Sequence, residues 1–564
     1  MKTDNGTTDI FGNDQRLATV FISVLIILKI VLLFVFAWHV RLVMDEFGQV
    51  GYAKYIASGM LFDTVQPTKA LGFAVFYKLA HLIGWDAPSI LLISRLQTAL
   101  LACAIIGMVY AMARTLGEDR LRALMIVLIL LCFSNFIERI FRTRAEPLAV
   151  FFSIAALLIV LRGDSISAKR VLVAGMLSGL SFLVTQKAAY FNLALGLSLI
   201  IEAFLARRYS FCITRGLYLV LGWLLSIVAY CFIFGGRDPL PVASSLVFGP
   251  LEVATRGGAE YGGLRHYVVQ TLIYNPILYL LCFSGMILAL FNTNMLDPRQ
   301  RIALMFSLVI TALVFTHDQP WPYVFVMALP FMSLWALIPL DRIVAQRLFR
   351  VIACTALAVT LVLSVLKNIR TLQIDNQMQL DLVARAEALL GKDERYFDGI
   401  GMLPNRHEPS TLWLDFHYVF ATLREGKASE AYQVFTKIPP KLILWSYRTE
   451  RISGIISPVI KDSYVAVSPN IRMAGRHLFS GQPEVFNVPI AGTYQLYSAT
   501  GTPLQGPLDV DGTLQDVPIK LTTGSKNITL HGASKEALLL PEGHYDGRLK
   551  QGSDNRLLFH KVYD

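Results

Sequence analysis

The sequence predicts a polytopic α-helical membrane protein with a soluble C-terminal domain, and three observations support this fold class. Of its 564 residues, 54% are hydrophobic and only 16% are charged, which is more apolar surface than a water-soluble protein can bury. Apolar windows long enough to cross a bilayer, about 20 residues each, recur from Leu17 to Lys367. These windows then stop, and residues 368–564 have the composition of a soluble chain.

The apolar windows predict about eleven membrane helices. They lie at about 17–38, 88–113, 121–137, 146–162, 171–186, 188–206, 213–234, 268–291, 301–316, 321–340 and 350–367. When the spans are counted from a cytoplasmic N-terminus, every inside loop is rich in arginine or lysine, as the positive-inside rule requires. The odd number places residues 368–564 outside, so we expect a multi-pass protein of the bacterial inner membrane with an extracytoplasmic, periplasmic C-terminal domain.

The first span and the loop after it have distinct features. The run from Leu17 to Trp38 is too long for the core of a signal peptide, and we interpret it as a retained signal anchor. In the loop at 39–87, the segments 46–58 and 70–84 have apolar residues at helical spacing. Both segments are therefore predicted to be helices that lie in the membrane interface.

The composition also divides the chain into three predicted domains. Residues 1–367 form the transmembrane domain, residues 368–478 mix helical and strand patterns as in a small α/β domain, and residues 479–564 alternate short apolar strands with Gly, Pro and Asp turns. The last pattern is typical of a β-sandwich. All six cysteines lie in or beside the apolar spans, which excludes a disulfide framework in the soluble part.

The formal net charge of +11 does not indicate a nucleic-acid partner. The basic residues occur in short clusters between apolar spans, which is the topology signal of a membrane protein. Membrane lipids are the surroundings that this distribution predicts.

Two adjacent carboxylates, Asp45 and Glu46, follow the first span and open the first interfacial helix. In one interpretation, Asp45 caps the helix and Glu46 interacts with the positive end of its dipole. In the other, Asp45 and Glu46 are a general base and its partner, because a carboxylate held near apolar surface has a pKa closer to the working range.

The second outer loop and two lysines supply cations on the same predicted side. Arg139, Arg142 and Arg144 lie in one short turn with Glu138 and Glu146, between two apolar spans. This turn is either a salt-bridged interfacial turn or, together with Lys69 and Lys187, a clamp for a phosphate group.

The loop at 235–267 is rich in glycine and carries basic and aromatic side chains. A glycine-rich loop of this kind is either an ordinary solvated loop or a mobile segment that closes over a ligand. The candidate ligand-contacting residues are Arg237, Arg256, Tyr261, Arg265 and His266.

These motifs together resemble the GT-C glycosyltransferases, which include lipid A aminoarabinose transferases and protein O-mannosyltransferases of the family 39 type. The resemblance covers about 17–340 and consists of Asp45-Glu46, the following Tyr52-Ala53-Lys54-Tyr55-Ile56-Ala57-Ser58-Gly59, a lysine near an interfacial helix, and the Arg-x-Arg-x-Glu turn of residues 142–146. The apolar segment from Trp321 to Pro330 is similar to a late span of that superfamily.

The resemblance implies a glycosyltransferase that moves a sugar from a polyprenyl-phosphate donor to an acceptor hydroxyl on a lipid, glycan or protein. Asp45 would be the catalytic base and Glu46 its partner. Lys187 resembles the lysine placed near the carrier phosphate, whereas Lys69 stands in a Pro-Thr-Lys-Ala context that departs from the aminoarabinose-transferase pattern. A prenyl phosphate leaving an anomeric carbon needs cations, and the attacking hydroxyl needs a base, so a single inverting displacement is expected.

Two other classes of function stay open. In a transporter or flippase of lipid-linked sugars, charges would line a cavity at the membrane midplane, whereas here they gather at the outer surface, with Lys29 as the main exception. A membrane-anchored binding protein would not need eleven spans. No cofactor is predicted. A divalent metal is left open as an alternative, because Asp45, Glu46 and His266 supply suitable ligand atoms, although no ligand spacing on one helix indicates a metal site.

Overall fold

The computed structural model describes residues 8–57, 70–162, 167–207, 209–257, 264–344, 347–408, 428–532, 534–543, 545–547 and 559. Two compact units account for the chain. The first unit comprises Met1–Val40, Pro67–Tyr77 and Leu92–Asp375, and the second comprises Arg41–Gln66, Lys78–Leu91 and Asn376–Asp564. The loop after the first span therefore belongs largely to the same unit as the C-terminal part of the chain.

The described part of the chain up to Asp375 is helical. Its α-helices are Thr8–His39, Met44–Ala57, Gly72–Ile83, Ala87–Thr115, Arg120–Cys132, Ser134–Ile137, Ala145–Leu161, Ala168–Val184, Ala189–Leu205, Tyr209–Gly235, Leu240–Gly257, His266–Tyr274, Pro276–Phe291, Pro298–Phe315, Leu329–Met332, Leu337–Val344 and Arg347–Leu372. Short 3-10 helices lie at Gln186–Ala188, Thr293–Met295, Val324–Met327 and Ser333–Trp335.

This helical part is a multi-pass membrane protein. Within the described residues, six helices are long and apolar enough to cross a membrane, and a seventh span results if one bent pair is counted. Helices occur at every position where the sequence predicts a span. The two segments predicted as interfacial helices also form helices, Met44–Ala57 and Gly72–Ile83. The number eleven itself stays a prediction, because several of these helices are too short or too broken to count by length alone.

Three of the predicted spans are interrupted, and the interruptions have identifiable causes. The span predicted at 121–137 breaks at Phe133, and the one at 268–291 bends by 97° between Tyr274 and Pro276. The Asn275 side chain joins the two breaks, because its Oδ1 accepts from the Ser134 backbone N–H at 2.9 Å. Backbone groups freed at a break inside a membrane protein are tolerated when protein groups satisfy them in this way.

The third interruption is the span predicted at 321–340, which alternates between α- and 3-10 helix instead of forming one straight helix. Prolines at positions 322, 330 and 339 remove backbone donors along it. Every residue from 322 to 337 is buried, so this segment is enclosed by neighbouring helices.

Close packing of the membrane helices depends on glycines at two crossing positions. A Cβ on Gly175 would lie 2.2 Å from the Leu219 carbonyl oxygen, and one on Gly222 would lie 2.1 Å from the Leu172 carbonyl oxygen. The helices Ala168–Val184 and Tyr209–Gly235 therefore approach backbone to backbone, as small residues permit in membrane helices.

The second unit holds all described strands and the remaining helices. The helices are Gln377–Ala388, Ala428–Lys437, Tyr447–Arg451 and Ser453–Ser463. The strands are β1 Tyr396–Phe397, β2 Leu442–Leu444, β3 Tyr464–Ser468, β4 Ile471–Ala474, β5 Arg476–Phe479, β6 Pro483–Val488, β7 Gly492–Tyr497, β8 Pro503–Leu504, β9 Pro507–Val510, β10 Thr513–Asp516, β11 Ile519–Leu521, β12 Gly524–Leu530 and β13 Glu536–Pro541.

These strands form one mixed sheet and two antiparallel sheets, as the predicted α/β and sandwich-like fold requires. The mixed sheet has the order β1-β2-β4-β3, with β1 parallel to β2. The other sheets have the orders β10-β9-β12-β6 and β11-β7-β13-β5, with β8 paired to β7. Phe486 and Ile528 of one antiparallel sheet share a core with Tyr494 and Leu539 of the other, which makes the pair a sandwich.

Candidate active site

The arginine-rich turn is buried in the first unit. Arg142 and Arg144 are almost inaccessible to solvent, and Arg139 is half-buried. The turn folds inward because Ile140 and Phe141 between these arginines are completely buried, and the Arg142 Nε donates to the Glu138 carbonyl at 3.1 Å. Charges held this deep in a membrane protein are costly unless they are paired or functional.

Arg144 forms the centre of a cluster with Glu146, Lys187 and Tyr323. The Arg144 Nε donates to Glu146 Oε2 at 3.0 Å, and the Lys187 Nζ donates to Glu146 Oε1 at 2.9 Å. Lys187 also donates to the Tyr323 hydroxyl at 3.1 Å, and the Arg144 guanidinium lies 3.4 Å from the centre of the Tyr323 ring. Two cations thus share one carboxylate, and these three ionic groups carry a net positive charge.

Local structure fixes the positions of these side chains. Lys187 lies on the 3-10 turn Gln186–Ala188 between two helices, and about 30% of its side chain is exposed. Glu146 lies in the first turn of the helix Ala145–Leu161, and its side chain is 4% exposed. The Arg144 carbonyl accepts from the Tyr77 hydroxyl at 2.8 Å, which holds the start of that helix in place.

A second group of charges surrounds Glu138 in the same unit. Lys367 Nζ lies 3.6 Å from Glu138 Oε1, and the Thr371 hydroxyl donates to the same oxygen at 3.3 Å. The Lys367 ammonium also lies 3.5 Å from the centre of the Tyr274 ring. The turn therefore has a carboxylate–cation contact on each side, one through Glu146 and one through Glu138.

The carboxylates Asp45 and Glu46 lie in the second unit, at the start of the helix Met44–Ala57. Glu46 is completely buried, and its Oε1 accepts from the Val43 backbone N–H at 2.9 Å, just before the helix. Glu46 therefore caps the start of the helix, whereas one interpretation of the sequence predicted that Asp45 would be the capping residue.

Asp45 lies within electrostatic range of Tyr447 and Arg448, which belong to the helix Tyr447–Arg451. The Arg448 Nη1 donates to the Gly399 carbonyl at 2.7 Å, and its Nε donates to the Tyr447 hydroxyl at 3.1 Å. Burial raises the pKa of Tyr447, so this hydroxyl stays protonated at neutral pH. The carboxylate that the sequence singles out therefore has a fixed guanidinium in its surroundings.

The candidate residues of the glycine-rich loop are only partly described. Arg237, Arg265 and His266 are exposed to solvent. The His266 ring lies 4.0 Å from that of Tyr267, which in turn lies 5.6 Å from Trp321, measured between ring centres. Lys69, Tyr261 and the side chain of Arg256 lie outside the described residues, so their predicted roles stay predictions.

The structure brings together some of the predicted residues and adds others. Arg144 and Lys187 meet on Glu146, whereas Asp45 and Glu46 belong to the other unit. Tyr323, Lys367 and Arg448 are additions that the motifs did not identify. The aromatic segment after Trp321 was a signal for Tyr323, whereas Lys367 and Arg448 resemble many other basic residues in the sequence. The salt-bridged interpretation of the turn also describes it correctly, since Arg144 pairs with Glu146.

Among the described residues, no group of three or more His, Cys, Asp or Glu side chains is arranged so that it could hold a metal ion. Lys29, the charge deep in the first helix, donates to the Ser364 hydroxyl at 2.9 Å and is buried. It is therefore a hydrogen-bonded lysine that joins two membrane helices.

Comparison with known proteins identifies similar domains and folds. Two models, each described as a domain of unknown function, match the C-terminal part: DUF7056 at residues 420–473 and DUF7055 at residues 476–541. No curated protein matches the sequence.

Among solved structures, ArnT from Cupriavidus metallidurans bound to undecaprenyl phosphate is 14% identical, with a TM-score of 0.54, and the match covers 81% of this chain and 98% of that chain. The apo form of the same protein, also 14% identical, gives a TM-score of 0.51 over 80% and 96% of the two chains. The archaeal oligosaccharyltransferase AglB from Archaeoglobus fulgidus, 11% identical, gives 0.47 over 86% and 74%. The ArnT match shows that this chain has the GT-C fold that its motifs predicted.

Proposed function

We propose that this protein transfers a sugar from a polyprenyl-phosphate donor to a hydroxyl group of an acceptor at the extracytoplasmic surface of the bacterial inner membrane. The sugar is a hexose or pentose, and the acceptor is a lipid A or lipopolysaccharide group, a cell-wall glycan or a protein. The cluster of Arg144, Glu146 and Lys187 carries the proposal, because a buried net positive charge in a membrane protein matches a lipid-linked phosphate.

The properties of the cluster fit the leaving group of this reaction. Lys187 offers a compact charge that remains partly accessible, and the Arg144 guanidinium adds a second positive charge beside it. Glu146 holds both cations in place, so they need little reorganisation when charge develops on the phosphate. One of the similar ArnT structures contains undecaprenyl phosphate, which supports a ligand of this class.

The proposed reaction is a single displacement. The acceptor oxygen forms a bond to the anomeric carbon while the bond from that carbon to the phosphate oxygen breaks, and the phosphate leaves with the electron pair. Asp45 accepts the proton of the attacking hydroxyl as general base. Glu46 supports it by holding the start of the helix Met44–Ala57 through the Val43 N–H. Attack opposite the leaving group inverts the anomeric configuration.

The first test replaces the phosphate-binding cations. Lys187→Ala and Arg144→Ala are assayed in membranes supplied with labelled polyprenyl-phosphate sugars, and transfer should fall by about 100-fold or more, as when an electrostatic group of a transition state is removed. The matched control is Arg122→Ala, which removes another ion-paired arginine, one bound to Asp341 at 2.8 Å. Transfer that survives in both cluster variants would contradict the proposed phosphate site.

The second test separates a transferase from a flippase of lipid-linked sugars. Asp45→Asn should abolish transfer while the protein is still made and still inserts in the membrane, because the amide cannot accept the proton. Unchanged transfer would exclude Asp45 as the base. Translocation of the lipid-linked sugar without transfer by either form would favour the flippase.

A further inference from the structure

A cleft of about 1010 Å³ lies within the second unit, between the mixed sheet with its helices and the sandwich. One wall includes Tyr432 and Thr436 of the helix Ala428–Lys437, and the other includes Asn487 of β6 and Thr493 of β7. These walls belong to the two matched domains of unknown function, at 420–473 and 476–541. The cleft is large for a small-molecule site, for which roughly 300–1,000 Å³ is usual.

The two walls of the cleft contain buried aromatic side chains and an ion pair. Phe435 and Tyr494 belong to the two walls and are almost completely buried, so they are part of the packing of the walls. Beside them, the Lys441 ammonium is held between both oxygens of Glu394, at 2.9 and 2.8 Å. This fixed ion pair presents oriented polar atoms without a large net charge.

The walls carry polar side chains that could bind a ligand. Among the described residues, Asn487, Thr493 and Thr523 line the cleft and their side chains make no hydrogen bond to another described residue. Tyr432 lines it too and is 38% exposed. An amide, two hydroxyls and an aromatic ring are groups that bind the hydroxyl edges and the apolar faces of sugars.

The charges of the lining select among possible ligands. Asp393, Glu394 and Glu542 are balanced by Arg395, Lys437 and Lys441. A polyanion or polycation would gain little electrostatic attraction from a lining with equal numbers of acidic and basic residues. An uncharged chain does not depend on such attraction. We infer that this cleft binds an uncharged oligosaccharide, which would be part of the acceptor. The acceptor assignment rests on the proposed sugar transfer, whereas the binding itself does not.

The experiment measures binding to the full-length protein purified in detergent. The probes are maltotetraose, the tetramer of N-acetylglucosamine and the tetramer of galacturonic acid, titrated by calorimetry. We expect wild-type protein to bind at least one of the two uncharged tetramers more tightly than the acidic one. Tyr432→Ala and Asn487→Ala should each weaken that binding by about tenfold, as expected for the loss of one ligand contact worth about 1.4 kcal/mol.

Two controls make the outcome specific. Phe479→Ala removes a similarly exposed aromatic side chain from β5, which does not line the cleft, and should change binding by less than about twofold. Lys187→Ala should reduce transfer by about 100-fold or more and leave oligosaccharide binding unchanged, so failure of one proposal is distinguishable from failure of the other. Absence of binding to either uncharged tetramer, or binding that survives both wall variants, would overturn the inference.

Discussion

Each of the two units holds a cluster of three ionisable groups. The first cluster has two basic groups and one acidic group, and the second has one basic group and two acidic groups. In the first unit, two cations, Arg144 and Lys187, share the carboxylate of Glu146. In the second unit, two buried carboxyl groups, Asp398 and Glu408, lie near one partly buried lysine, Lys54. The comparison shows two ways to hold charge: the three groups of the first cluster keep a net positive charge, whereas those of the second cluster do not.

The second cluster neutralises itself. The Asp398 carboxylate accepts three backbone N–H groups, those of Ile400, Gly401 and Met402, at 2.6 to 2.7 Å. Burial, and next the neighbouring Asp398, raise the pKa of Glu408 well above its usual range, so Glu408 stays protonated and hydrogen-bonds Asp398. Burial also lowers the pKa of Lys54 to about 8. This cluster therefore has a structural role.

The largest expected effect comes from removing the shared carboxylate of the first cluster. Glu146→Gln removes the buried negative charge that both the Arg144 guanidinium and the Lys187 ammonium contact, which should cost about 3–5 kcal/mol of stability. The measurement is thermal unfolding of the protein purified in detergent.

Two variants control this prediction. Glu146→Gln combined with Lys187→Met should recover part of the lost stability, because it removes one of the two positive charges that Glu146 balances. Glu118→Gln changes a partly exposed pair with Arg122 and should cost less than about 1 kcal/mol. A loss for Glu146→Gln no greater than that of Glu118→Gln would show that the first cluster does not depend on its carboxylate.

A smaller effect is expected for Asp398→Asn in the second cluster. The amide keeps one acceptor oxygen but turns an NH₂ group toward backbone donors, so we expect a loss of about 2–3 kcal/mol. Urea unfolding followed by circular dichroism measures it. Asp381→Asn, on an exposed position of the helix Gln377–Ala388, is the control and should change stability by less than about 0.5 kcal/mol. Equal effects of the two substitutions would indicate that the three N–H contacts do not stabilise the fold.

The smallest effect at neutral pH is expected for Glu408→Gln, because an amide replaces a carboxyl group that is already uncharged. The pH dependence is the sharper measurement. A carboxyl group with a raised pKa in the folded state stabilises the fold fully below its unfolded pKa, near about 4.3, and this contribution is lost as the pH rises toward the folded pKa. The melting temperature of wild-type protein should therefore fall more steeply between pH 4.5 and 8 than that of Glu408→Gln. Parallel curves would show that Glu408 is ionised in the folded state.

Much of the fold follows from local sequence. Hydropathy located helices at all eleven predicted spans, and alternation of apolar residues with turn residues indicated the strands of the β-rich C-terminal part. The broken spans were not foreseen, because the break at Phe133 depends on a side chain, Asn275, that lies 141 residues away from the Ser134 it binds. Of the site, the sequence identified Arg144, Glu146 and Lys187 individually, but not that Lys187 and Arg144 meet on this carboxylate.

The sequence by itself thus determined the membrane class, the positions of the helices and the sandwich-like pattern of the last strands, because hydropathy and turn preferences act over a few residues. Only the tertiary structure decided which ionisable groups meet. Lys187 reaches Glu146 across 41 residues and Tyr323 across 136, and Arg448 lies within electrostatic range of Asp45 only because the loop after the first span folds with the C-terminal part. The pairing and burial of a charge depend on contacts distant in sequence, and these decide whether the charge serves stability or a ligand.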